Sequence, residues 1–375
     1  MKINYTANAR KYAFQYPLIS AILIQISFWI ISFLFLSFIL HYAANGFGKT
    51  YHVNIPSSLK PIIVISLAVG ILYGTTLGLL DFYFYRKLFK GKSTGLLILF
   101  KSVFYFIVMI AMFFFVKEII WQRFLYDLYF LNTSFKLPED AWNEYFKLTM
   151  VYVFFMSIMI SFLIQVNTKF GPGVLIPLLM GRYANPKEEE RIFIFLDLKS
   201  STTHAEKLGH VKYSKLIRDC FLHINYISVK YGAEIYQYVG DEVVLSWPTN
   251  HLKNPMISID FYFACYNYFI EKKPKYLKKH GVLPQFKAGI HIGKITAVEV
   301  GDVKREIAFH GDTLNVTARI QAKCNELDSD LIISEDLKVI LPNQENYQFI
   351  SQGLVPLKGR KQEICIYTVI PSKAK

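Results

Sequence analysis

The sequence predicts an all-α transmembrane bundle of four helices followed by an α+β domain, and three observations carry that expectation. Before about Phe170 the chain holds long uncharged apolar runs, whereas after Arg182 it reads as ordinary amphipathic protein. The composition is 53% hydrophobic and 16% aromatic, more than a soluble chain needs to fill its cores, so part of the apolar mass has to face lipid. In the second half, strand-like apolar runs interleave with helical stretches, which is the pattern of a sheet crossed by helices. The expected division is 1–170 for the membrane half, 171–187 for a coupling linker and 188–375 for the second domain.

A span needs roughly 20 apolar residues. Four stretches meet this length, approximately Leu18 to Tyr42, Pro61 to Phe84, Gly95 to Val116 and Leu148 to Val166. The first has no small-residue cleavage site and is too long for a signal-peptide core, so it reads as a retained span. Arg86, Lys87, Lys90 and Lys92 crowd the second connection, and Lys2, Arg10 and Lys11 precede the first span. The positive-inside bias puts both in the cytoplasm, and an even number of spans returns the chain there. The connection from Lys117 to Lys147 mixes acids with bases and suits the outer face. Lys101 falls inside the third span and reads as a side chain snorkelling to the interface.

The net charge of +14 lies largely beside apolar runs, where anionic headgroups explain it, and nucleic acid is not an expected partner. Cys220, Cys265, Cys324 and Cys365 are widely spaced without a CxxC pair, which argues for reduced thiols and against a zinc site. After the last span, Gly171, Pro172 and Gly173 and then Pro186 bracket an apolar segment from Val174 to Met180. Such punctuation predicts a short amphipathic helix between the two halves.

In the second half a strand is expected over Arg191 to Leu198, a helix from about His204 to Tyr231, a hairpin from Glu234 to Trp247 and a helix from about Pro255 to Phe269. Strands follow near Phe286 to Ile292, Ile295 to Val300 and Arg305 to His310, then a helix from about Leu314 to Asn325. Three segments carry chemistry. Asp197 ends an apolar strand and is followed by Leu198, Lys199, Ser200, Ser201 and Thr202. That offers a carboxylate metal ligand beside backbone N–H groups facing phosphate oxygens, although an N-cap alone has the same appearance. Gly240 and Asp241 form a tight turn between apolar strands, and a second carboxylate there can neighbour the first, as paired divalent cations require. Asn315 and Arg319 are four apart on a helix and can reach one ligand, the fork suiting phosphate and the amide a sugar oxygen.

In this order the three segments resemble the class III adenylate and guanylate cyclase catalytic domain, and Gly289-Ile290-His291-Ile292-Gly293 resembles that family's GIHxG hairpin. The resemblance covers roughly Arg191 to Ile370 and implies a ferredoxin-like α+β fold. It further implies a homodimer with composite active sites, in which Asp197 and Asp241 bind two Mg2+ or Mn2+ ions with the Leu198 carbonyl as a further ligand. Ser200, Ser201 and Thr202 would cradle phosphate. Asn315 would position the ribose, Arg319 would meet charge on the α-phosphate, and Lys358 would meet the terminal phosphates. The diguanylate cyclase domain is a rival for Val239 to Val243 but gives no account of Gly311 to Arg319.

Two positions depart from the family pattern. Where its adenylate cyclases carry a lysine and an aspartate or threonine for the adenine, this chain has Gln237 and Ala308. Gln237 both donates and accepts, which suits adenine but also guanine or a pyrimidine. ATP is favoured as substrate, guanylate or pyrimidine cyclase activity is the alternative, and a catalytically silent receptor is the reading from another class.

Overall fold

A computed structural model describes residues 12–13, 15–52, 59–88, 94–115, 139–170, 180–252, 254–303, 305–342, 345–356 and 363–372. The chain forms two compact units, the first over residues 12–175 and the second including residues 176–375. Residues 171–179, where a coupling helix is expected, lie outside the described residues, as does Lys358.

The first unit holds α1 (Pro17–Tyr51), α2 (Leu59–Leu88), α3 (Thr94–Phe115) and α4 (Glu139–Phe170). All four are long and apolar enough to cross a membrane. The helix α4 starts at Glu139, so Glu139, Asp140 and Glu144, expected in a connection, are helical. Gly70, Gly74 and Gly78 form a stripe down α2 at four-residue spacing. A Cβ at Gly74 would stand 2.5 Å from the Ile26 Cα, and one at Gly78 would stand 2.5 Å from the Ile22 Cα. The stripe brings the backbones of α1 and α2 together, the way helices pack where burial from water gives no driving force.

Lys101 does not snorkel. Its ammonium lies 3.0 Å from Asp81 Oδ1, and Lys101 is only 8% exposed. Asp81 Oδ2 accepts from Tyr105 Oη at 2.5 Å and from Gln25 Nε2 at 2.8 Å, while Trp29 Nε1 donates to Gln25 Oε1 at 3.1 Å. Asp81, a charge the span pattern had not brought out, gives the lysine a partner on the neighbouring helix. The node ties α1, α2 and α3 together with its charges matched.

The second unit is an eight-stranded sheet built from β1 (Lys187–Leu198), β2 (Glu234–Val239), β3 (Glu242–Pro248), β4 (Phe286–Val300), β5 (Glu306–His310), β6 (Leu331–Ser334), β7 (Tyr347–Val355) and β8 (Ile364–Pro371). The order is β2-β3-β1-β4-β6-β8-β7, with β5 on the far half of β4. Among the described residues only the β4–β6 pairing is parallel. The helices are α5 (Ser201–Lys230), α6 (Ile257–Glu271), α7 (Lys273–His280), α8 (Asp312–Glu326) and α9 (Glu335–Ile340). The α5 helix breaks at Gly209, whose φ of 71° and ψ of 161° are not helical.

Alternation along β1 decides which helix covers which face. Ile192, Ile194, Leu196 and Leu198 pack with Leu216, Ile224 and Phe261 of α5 and α6 in the main core. Phe193 and Phe195 point the other way, toward Phe309, Leu314 and Ala318. Two strands were expected over Phe286 to Val300, but β4 runs unbroken from Phe286 to Val300 because Gly293 pairs in register with Arg191 instead of turning. The hairpin lies further on, between β4 and β5.

The polar node predicts a thermodynamic asymmetry. Breaking a buried pair by removing one charge costs about 3–5 kcal/mol, while removing both leaves no uncompensated charge. Lys101→Met should therefore lower the thermal unfolding temperature of the detergent-solubilised chain more than the double variant Asp81→Asn/Lys101→Met does.

Candidate active site

The strand β1 pairs on one edge with β3 and on the other with β4, and near the end of both registers lies Asp197, which faces Glu242 on one side and Lys287 on the other. The β2–β3 turn, with Gly240 at φ 61°, sets Asp241 beside that strand end. Asp241 is close enough to act on the charge of Asp197. Burial raises the Asp197 carboxyl above its ordinary range, Lys287 works against this, and Asp241 adds to the rise. Glu242 is pushed up to about 7, first by burial and then by Asp197 and Asp241.

Beyond Asp197 the chain turns through Ser200, which adopts the left-handed conformation at φ 55° and starts α5 without a side-chain cap. A non-glycine residue held there is strained, and the first N–H groups of α5 are left for another acceptor. Ser201 is half-buried and Thr202 exposed at this helix start. The Leu198 side chain is buried in the core, so this residue can offer the site only its backbone carbonyl. Beside Asp241 lies a groove of about 630 Å³ lined by Tyr213, Arg218, Phe221, Tyr238 and Gly240.

The other expected residues sit elsewhere on the unit. Asn315 is exposed and Arg319 half-buried on α8, and among the described residues no hydrogen bond or ion pair engages either one. Gln237 is exposed on β2 and Ala308 half-buried on β5. Their strands are joined by the neighbouring residues, since Tyr236 stacks on Phe309 at 4.4 Å and 12° and its hydroxyl accepts from the Phe309 N–H at 3.1 Å. Arg191 lies over the Phe309 ring at 4.8 Å, held by Glu189, Glu234 and Ser246.

Three residues at the site were missed in the sequence. Lys287 is 3.2 Å from Asp197 Oδ2 and donates to Asn325 Oδ1 at 2.9 Å. Gln321 Nε2 donates to the same Asp197 oxygen at 3.1 Å, and Glu242 faces the pair. Lys287 is findable only once the register of β1 against β4 is known, whereas Glu242 adjoins Asp241 in the chain.

The donor set at the strand end is carboxylate and carbonyl oxygen, without thiolate or imidazole, which suits Mg2+ or Mn2+. Among the described residues no group of three or more His, Cys, Asp or Glu forms a complete metal cage. Two carboxylates that gain from a nearby cation, with room for substrate oxygens, fit the usual way Mg2+ is bound alongside phosphates.

The sequence profile described as "Adenylate and Guanylate cyclase catalytic domain" matches residues 183–370. The chain belongs to the family of nucleotide cyclases that carry this domain. It is 32% identical over 220 residues to adenylate cyclase 2 of Rhizobium meliloti (strain 1021), an alignment covering 59% of this chain and 61% of that relative. It is 25% identical over 80 residues to the photoactivated adenylate cyclase subunit beta-like protein FB of Euglena gracilis, covering 21% of this chain and 9% of that protein. The solved structure of a bacterial light-regulated adenylyl cyclase shares the fold, with a TM-score of 0.50 and 22% identity over 58% of this chain and 64% of that one.

The raised carboxyls fix the sign of a pH effect. Glu242 holds its proton more tightly folded than unfolded, so the folded state is favoured as pH falls from about 7 toward its ordinary value of 4.5, and this advantage is lost as pH rises through 7. With a chelator present, thermal stability should decline between pH 5 and 8 as these groups ionise. Glu242→Gln should flatten that decline.

Proposed function

We propose that the chain is a membrane-anchored adenylate cyclase that converts ATP to 3′,5′-cyclic AMP and pyrophosphate, as an intracellular signal, in a homodimer. The observation that carries this reading is the meeting of Asp197 and Asp241 at the uncapped start of α5, on a chain whose α8 presents Asn315 and Arg319 with no partner of their own among the described residues. A second copy of the chain supplies the missing half of each site most simply. Each chain carries both halves, so two sites can form.

In this reading Asp197 and Asp241 hold two divalent cations with the Leu198 carbonyl. When bound, the cations supply acidity to the ribose 3′-hydroxyl and neutralise the triphosphate. Ser200, Ser201, Thr202 and the free N–H groups of α5 receive phosphate oxygens, where the helix dipole favours negative charge. Asn315 holds the ribose so that its 3′-oxygen lies in line with the α-phosphorus and the departing pyrophosphate. The Arg319 guanidinium meets the charge that develops on the α-phosphate, and Lys358 is assigned to the terminal phosphates. Gln237 reads the base edge and Ala308 shapes its pocket.

In the same reading the chain sits in the plasma membrane with its N-terminus and catalytic domain in the cytoplasm, supported by the four apolar helices and by the lysines and arginines flanking the first and second spans. The unit boundary near Leu175 supports 1–170 as the anchor, 171–187 as the linker and 188–375 as the catalytic domain.

Incubation of the purified chain with each of the four ribonucleoside triphosphates and Mn2+, with products identified by mass, tests the function. Cyclic AMP is the expected product. Cyclic GMP or a cyclic pyrimidine nucleotide would reassign the substrate, and no cyclic product from any triphosphate would sink the enzyme reading. Asp197→Ala and Asp241→Ala should each abolish turnover while the dimer persists by light scattering.

A further inference from the structure

The helix α8 lies unusually close to β4. A Cβ at Gly289 would stand 2.4 Å from the Gln321 backbone nitrogen, and one at Gly293 would stand 2.5 Å from Thr313 Oγ1. Both glycines of Gly289-Ile290-His291-Ile292-Gly293 are therefore space for a helix. Thr313 Oγ1 fastens the N-terminal turn by donating to the Lys294 carbonyl at 2.6 Å. Nearer the other end Gln321 is 7% exposed, yet its amide reaches the carboxylate of Asp197.

Asp197 Oδ2 receives both Gln321 Nε2 at 3.1 Å and Lys287 Nζ at 3.2 Å, and Lys287 is itself held by Asn325 one turn further along α8. The two contacts from separate elements fall on the same oxygen. A cation merely resting near a carboxylate needs no neutral amide beside it. An amide buried at this depth also loses its solvent hydrogen bonds and regains one only if Asp197 stays in place.

We infer that Gln321 is a positioning residue for Asp197: with Lys287 it holds Oδ2 and fixes the rotamer, so that Oδ1 is the oxygen offered to a divalent cation. This rests on the reading of Asp197 as a metal ligand. Partners that orient a ligating side chain typically contribute 10–100-fold to metal affinity. Gln321 acts through Asp197 and needs no contact with the nucleotide.

The test uses Mn2+ and the full chain in detergent micelles, with free Mn2+ followed by its electron paramagnetic resonance signal. Wild type, Asp197→Asn, Gln321→Met and Gln321→Asn are compared, the last keeping the amide but withdrawing it by one methylene. Asp197→Asn should lose site binding, and both Gln321 variants should bind Mn2+ about 10-fold or more weakly. In turnover the Gln321 variants should need correspondingly more Mn2+, with KM for the nucleotide at saturating Mn2+ unchanged. If Asp197→Asn loses Mn2+ while both Gln321 variants bind as wild type does, the bond is only structural and the inference falls alone. If Asp197→Asn binds as wild type does, the metal reading falls and takes the inference with it. A raised nucleotide KM with unchanged Mn2+ affinity would instead place Gln321 on the substrate and overturn the positioning role.

Discussion

The catalytic unit depends on β1 being paired along both edges and covered on both faces. Its registers against β3 and β4 are continuous from Arg191 to Asp197, and Ile192 to Leu196 are buried without a break. A strand held this way cannot slip by one residue, because a slip would turn every core side chain to the opposite face. The position of Asp197 follows from that rigidity, since the carboxylate is the first side chain on its face to emerge from the core. The β2–β3 turn then brings Asp241 to the same end as a consequence of pairing, and α5 starts there because the strand stops.

The second constraint is the contact between α8 and β4. Two glycines admit the helix, and the helix carries Asn315 and Arg319 on one side while Gln321 and Asn325 reach back to Asp197 and Lys287 on the other. In the proposed reading one rigid element thus supports both the metal-facing and the sugar- and phosphate-facing parts of a chain. Under the homodimer reading those parts serve different active sites, so the dimension that matters is the fixed distance along α8 rather than any flexibility between the halves.

Much of the layout was legible because it follows from period and turn chemistry. The four apolar runs, the strand ending at Asp197 and the Gly240–Asp241 turn are local patterns, and each appears where periodicity placed it. What could not be read was long-range. Lys287 is an ordinary basic residue in a strand until the register sets it opposite Asp197, and Gln321 is an ordinary helix residue until Gly289 lets α8 come near. The same holds in the membrane unit, where Lys101 was separated from its meaning by twenty residues of chain to Asp81. The significance of the glycine stripe of α2 likewise rests on a facing helix.

Base selection in the proposed reaction shows how such distant constraints bear on chemistry. Gln237 and Ala308 stand where the family pattern has a lysine and an aspartate or threonine, and in the proposed reading neither discriminates strongly unless held still. The holding is done one residue away. Arg191, buried among Glu189, Glu234 and Ser246, lies against Phe309, and Phe309 stacks on Tyr236. An arginine so enclosed by acids stays charged, its own burial being outweighed by those partners. The stack therefore joins β2 to β5 through rings and one hydrogen bond, next in the chain to Gln237 and Ala308. In the proposed reading a neutral amide on a rigid strand reads the base by geometry rather than by charge, and the packing around it then bears on selectivity as much as the residue itself.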